Sequence, residues 1–215
     1  MRKSSLLVVA LAGLVALPAF AQAPPATPPA AQPAPPASPP VRIRGTIDKL
    51  DGNTLAIKSR DGTSVSVTLA DNVQVAYLVK KTMADIKSGD YLASTGIKGP
   101  DGKIHAIEVR IFPEALRGAG EGQYPWDLKP DTVMTNATAG TITKEGAGNI
   151  VSVTYKGNTS DYTIDADTPI FTYAQGDKTL LVPGAAVFIV APKKDDGSIT
   201  AARVTVEKDG VKPPM

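Results

Sequence analysis

"GTIDKLDGNTLAIKSRDGTSVSVTL", residues 45–69, sets three short runs rich in Val, Ile, Leu and Thr between the turn signals Asp51-Gly52-Asn53 and Asp61-Gly62. Runs of this length, composition and punctuation predict β-strands joined by hairpins. Val65, Val67 and Leu69 alternate with Ser66 and Thr68. That period of two predicts one face on a core and the other in water.

Working outward, the landmarks of this stretch recur further along the chain. Residues 41–112 laid over 136–207, without a gap and at a shift of 95, pair Gly45-Thr46-Ile47 with Gly140-Thr141-Ile142 and Gly62 with Gly157. The same shift pairs Gly89 with Gly184, Asp101-Gly102 with Asp196-Gly197, and Ile104, Ala106 and Val109 with Ile199, Ala201 and Val204. Coincident glycines imply coincident tight turns, because glycine supplies the positive φ that such turns require. The first copy continues with "VQVAYL", "DYLASTGI" and "IHAIEVRIF"; the second reads "AGTITKE", "IVSVTYK", "DYTIDA", "PIFTYA", "AAVFIVA" and "ITAARVTVE". "MADIKSGD" and "TLLVPGAA" each predict a short helical turn ending at glycine. The fold class expected is all-β: two tandem small barrels of the OB or SH3-like kind, residues 41–112 and 136–208, related by an internal repeat.

The pattern of Gly-Thr-Ile, an Asp-Gly or Lys-Gly hairpin, "ADIKSGDYL" and "DGKIHAIEV" resembles a domain of unknown function that recurs, often in tandem, in exported bacterial proteins. From Val41 onward, with "FPEALRGAGEGQYPWDL" and "MTNAT", the chain is also similar to proteobacterial exported proteins labelled "metal ABC transporter permease". The resemblance implies a β-barrel fold and a link to metal handling in the cell envelope. It carries over no catalytic or ligating residue.

The N-terminus adds a compartment. Arg2 and Lys3 precede an apolar run from Leu6 to Leu17, then Pro18 and the triplet Ala19-Phe20-Ala21. This predicts a secretory signal peptide over residues 1–21, cleaved before Gln22, and a periplasmic or secreted bacterial protein whose only membrane contact is that peptide. The run is shorter than the roughly 18 residues a membrane span needs. Residues 22–40, "QAPPATPPAAQPAPPASPP", form a Pro/Ala-rich linker that cannot build a core and favours extended polyproline II. A short tail, 209–215, follows the second barrel. The absence of cysteine excludes disulfides, thiolate catalysis and thiolate-held metals. Loss of Arg2 and Lys3 leaves 21 basic against 21 acidic residues, without a basic run. Nucleic acid is therefore not an expected partner.

Three residues near the end of the first copy are the candidates for a hard-cation site: His105, Glu108 and Glu114. A metal needs three or four convergent donors, and Thr200 replaces His105 in the second copy, so His105 reads first as an exposed strand residue. No metal, and no cofactor, is expected. No nucleophile stands in an identifiable elbow with the single histidine, and the Asp-Gly clusters read as turns. The stretch 113–135 has no counterpart in either copy; Pro113, Pro125 and Pro130 break regular structure, and Gly118, Gly120 and Gly122 permit bends. Tyr124 and Trp126 predict a strap pinned across the two barrels. The same pair, with Asp127, is the candidate ligand site, a platform for a glycan or peptide. These readings combine into a monomeric, non-enzymatic binding or structural module whose partner is an envelope protein, glycan or peptide. A metal-handling accessory protein and a hydrolase of an envelope polymer are the alternatives.

Overall fold

The computed structural model describes residues 40–214; the expected signal peptide and the Pro/Ala-rich linker up to Pro39 lie outside them. Val, Ile, Thr and Tyr favour the pleated backbone, and the chain forms strands wherever they cluster. In order these are β1 (Val41–Asp51), β2 (Thr54–Ser59), β3 (Ser64–Lys81), β4 (Tyr91–Lys98), β5 (Ile104–Ile111) and β6 (Gly122–Pro125). The second half supplies β7 (Thr132–Glu145), β8 (Gly148–Tyr155), β9 (Asn158–Ile164), β10 (Ile170–Gln175), β11 (Ala186–Ala191) and β12 (Thr200–Val206). Short 3₁₀ turns at Met83–Asp85 and Lys178–Leu180 precede Gly89 and Gly184, whose φ values are 92° and 88°. In β3, Val67 and Leu69 are buried while Ser66 and Thr68 are exposed, as the alternation requires.

The strands close on themselves. One ring runs β12-β11-β1-β2-β3 and is shut by parallel pairing of β3 with β12, Val75 opposite Val204. The other runs β5-β4-β7-β8-β9 and is shut by parallel pairing of β9 with β5, His105 opposite Thr163. Closure pairs the backbone donors and acceptors that an open sheet leaves at its edges. The protein is thus all-β and built on closed β-barrel pairing. Each ring encloses its own apolar core: Leu55, Ile57, Val67, Ile189 and Val204 in the first, Leu92, Val109, Val151, Val153 and Tyr162 in the second. Each such side chain withdrawn from water contributes about 1.5–3 kcal/mol.

The rings cut across the boundaries expected at 41–112 and 136–208. The first takes β1–β3 from one half of the chain and β11–β12 from the other; the second takes β4–β5 and β7–β9. The cause lies in β3. "SVSVTL" and "VQVAYL", read as two strands in sequence, are one strand of 18 residues that leaves the first ring and pairs antiparallel with β10. Its counterpart is divided into β9 and β10 by Asp165–Pro169, where proline has no N–H for the ladder. Leu78 lies opposite Tyr173, 95 residues later, so the β3–β10 pairing sets equivalent positions about a local two-fold. β10 also runs parallel to β5 and joins the rings.

The shift of 95 fits one set of strands and fails for another. Thr200 opposite Thr68 matches His105 opposite Thr163 at that shift. At the first strand, however, Gly184 N–H donates to Ile47 O while Gly89 N–H donates to Ala139 O, placing Ala139, not Ile142, opposite the role of Ile47. The second Gly-Thr-Ile sits three residues further along, in a longer β7–β8 hairpin where Ile142 pairs with Val151.

Candidate functional site

Strand alternation sends two rows of side chains out of the rings and toward each other. On the first ring Ile43 and Ile189 turn inward, so Arg42, Arg44, Phe188 and Val190 turn outward, Arg44 directly opposite Phe188. On the second, Leu92, Val109 and Ala137 turn inward, leaving Arg110, Ala93 and Asn136 in register across β5, β4 and β7. Residues 113–135 are less irregular than expected: a 3₁₀ turn at Glu114–Leu116 is followed by β6, which pairs with β7. This strand holds Tyr124 over the outward row, and Trp126 follows it. Between the rows and the strap lies a groove of about 560 Å³.

Its walls are aromatic. Phe112 stacks on Tyr173 with centroids 5.6 Å apart and planes 9° from parallel, and Tyr91 continues the ladder at 5.5 Å from Phe112. Trp126 meets Tyr124 edge-on at 6.1 Å and Phe188 at 6.2 Å. Trp126 therefore joins the strap to the first ring and lines the groove at once, half-buried. The Arg42 guanidinium sits 4.3 Å over the indole, a cation–π contact.

Under the rings are polar groups that the fold does not satisfy. Arg110, 3% exposed, contacts Glu108 at 2.6 Å and donates through Nη1 to Tyr173 Oη at 2.8 Å. Its Nη2 has no hydrogen-bond partner among the described residues, nor have Trp126 Nε1 and Asn136 Oδ1. The Glu108–Arg110 contact is close but poorly aligned, so it counts as an ion pair more than a hydrogen bond. Asn136 Nδ2 is used, donating to Ala119 O at 3.1 Å and Tyr124 Oη at 3.2 Å. Each shielded, unpaired atom costs about 1–3 kcal/mol. Burial pushes the Glu108 carboxyl above the usual range against the pull of Arg110, and burial likewise raises the Tyr124 phenol.

Asp127 has a different role from its neighbours. Its carboxylate receives Arg44 Nη1 at 2.5 Å, with Arg60 at 3.6 Å and Arg42 at 3.9 Å, and its carbonyl accepts from Arg60 Nη2 at 2.6 Å. It fastens the strap to the first ring, below the groove lining. Of the three ligand candidates the structure brings Tyr124 and Trp126 into the groove and turns Asp127 to anchoring.

The cation candidates are dispersed. His105 stands between Asp101 (Nε2–Oδ2 3.1 Å) and Asp165 (Nδ1–Oδ2 3.5 Å), Glu108 is committed to Arg110, and Glu114 to Arg117 at 2.6 Å. Among the described residues no group of three or more His, Asp or Glu is placed to hold a metal ion. The hydrogen bond to Asp101, reinforced by Asp165, holds the His105 imidazole above its ordinary value, and the same bond holds Asp101 below its own.

Comparison with protein-family models, with curated proteins and with solved structures gives no match, so the resemblance read in the sequence gains no support from them. Sequence reading missed Arg110, Phe112, Asn136, Tyr173 and Phe188, which look like ordinary strand residues. A signal was present: at the shift of 95, Phe188 faces Ala93, Tyr173 faces Leu78, Arg110 faces Thr205 and Phe112 faces Glu207. At each of these positions the groove residue is aromatic or charged and the other copy carries a side chain of a different kind.

Proposed function

We propose that this chain is an exported, periplasmic, non-enzymatic binding module whose groove takes an extended peptide, on a scaffold of two small barrels that arose by internal duplication and exchanged strands. The observation that carries the reading is the groove itself: aromatic side chains from β10, β11 and the strap line it together with Arg42, Arg110 and Asn136. Its volume lies in the range of ligand sites, which combine apolar lining with a few polar groups that fix orientation. An extended peptide matches this chemistry, offering a carbonyl acceptor or an N–H donor at each residue and apolar side chains to the rings. The signal-peptide pattern supports export, and the balanced charge suits a peptide better than a polyanion.

The test is selection of a phage-displayed random peptide library on the full chain, counter-selected on the Tyr124→Ala and Phe112→Ser variants. Peptides that bind the unaltered chain and lose binding to both variants are the expected result. Enrichment indifferent to both substitutions, or none at all, overturns the groove as a peptide site. For export, the intact mass of the protein recovered from the periplasm should begin at Gln22; a form retaining Met1 overturns that part.

A further inference from the structure

We propose that the chain's own Pro/Ala-rich segment occupies the groove and competes with other ligands. The inference rests on the groove being the peptide site proposed above. The described chain begins at Pro40, and Pro40 itself lines the groove beside Arg42 and Val190. The residues immediately upstream in sequence, "AQPAPPASP" at 31–39, are thus tethered at the edge of the groove by Pro40.

Their chemistry fits what they would meet. Polyproline II has three residues per turn, so Pro33, Pro36 and Pro39 fall along one edge of such a helix, spanning roughly 19 Å at about 3.1 Å per residue. A prolyl edge of this kind docks in aromatic-lined grooves and loses little conformational entropy, because the helix is already formed. Proline contributes no N–H, and the helix makes no internal hydrogen bonds, so its carbonyls are free acceptors for the Arg42 guanidinium that lines the groove. No side chain from Gln22 to Pro40 carries charge, so the segment brings no ionised side chain to desolvate. Tethering raises the effective concentration of the segment to the order of millimolar, enough to fill the site at modest intrinsic affinity.

The test compares the full chain with a variant carrying Pro33→Gly, Pro36→Gly and Pro39→Gly, which keeps its length and leaves residues 40–214 unchanged. The probe is a fluorescently labelled synthetic peptide of residues 31–40, followed by anisotropy, with acrylamide quenching of Trp126 as a second readout. The expected result is binding to the glycine variant at least about tenfold tighter than to the unaltered chain, with Trp126 more freely quenched in the variant. Binding should be lost when Tyr124→Ala is added. Equal affinity for both chains, or no binding to either, overturns self-occupancy; library peptides that still depend on Tyr124 would show the groove reading surviving that failure. Protection of Trp126 that disappears on dilution, together with dimers in sedimentation, also overturns it, since the segment would then come from a second copy.

Discussion

Arg110 and His105 show how differently one β-strand can hold a charge. Arg110 is buried with Glu108, and its removal strands a carboxylate without compensation. Arg110→Ala should therefore cost about 3–5 kcal/mol in urea unfolding, whereas Glu108→Leu with Arg110→Met, which removes both charges, should cost far less. His105 is a third exposed and paired with two carboxylates. Its folded value is raised above 6.5, so the stability it contributes is full below pH 6.5 and disappears as pH rises through the raised value. Asp101 behaves in the opposite sense: its value is lowered below 3.8, and its share is present above pH 3.8 and lost as pH falls through the lowered value. NMR titration of His105 should give a midpoint above 6.5, and Asp101→Asn should move it down because the first of its partners is gone.

At the scale of elements, the strap is both clamp and wall. Trp126→Ala removes contacts to Tyr124 and Phe188 from a half-buried site and should cost about 2 kcal/mol, below the range for fully buried tryptophan. Emission from this sole tryptophan should be partly blue-shifted in the native protein and move to the red on unfolding. The strands themselves were legible, since Val65, Val67 and Leu69 declare their faces by alternation. Their partners were not, because alternation fixes which face is buried and is silent about which half of the chain supplies the neighbour. The Gly-Thr-Ile match misled for a related reason: a longer β7–β8 hairpin displaces the second triplet, and compensating length changes later restore the shift of 95. Tyr124 and Trp126 stood out in a segment rich in Gly and Pro, while Arg110 and Asn136 were hidden inside strands and gained meaning only once two rings faced each other.

For the whole molecule, the exchange of strands makes the halves interdependent. Residues 40–112 alone would hold three strands of one ring and two of the other, with neither core complete. Expressed separately, residues 40–112 and 113–215 should each be unfolded by circular dichroism, and mixing them should restore β structure with one cooperative transition. Two independently folding halves would contradict this. The closure of β3 on β12 also imposes a timetable on a chain that emerges from its N-terminus. The ring of β4, β5 and β7–β9 has all its strands once Ile164 is out, while β1–β3, first to appear, keep a bare edge at β1 until β11 arrives and at β3 until β12 ends at Val206. Bare edges invite pairing with other chains. The oldest part of the nascent protein is thus the last to be sealed, and a ribosome that stalls between Ile164 and Ala186 would release a molecule with one finished ring and one sticky half-sheet.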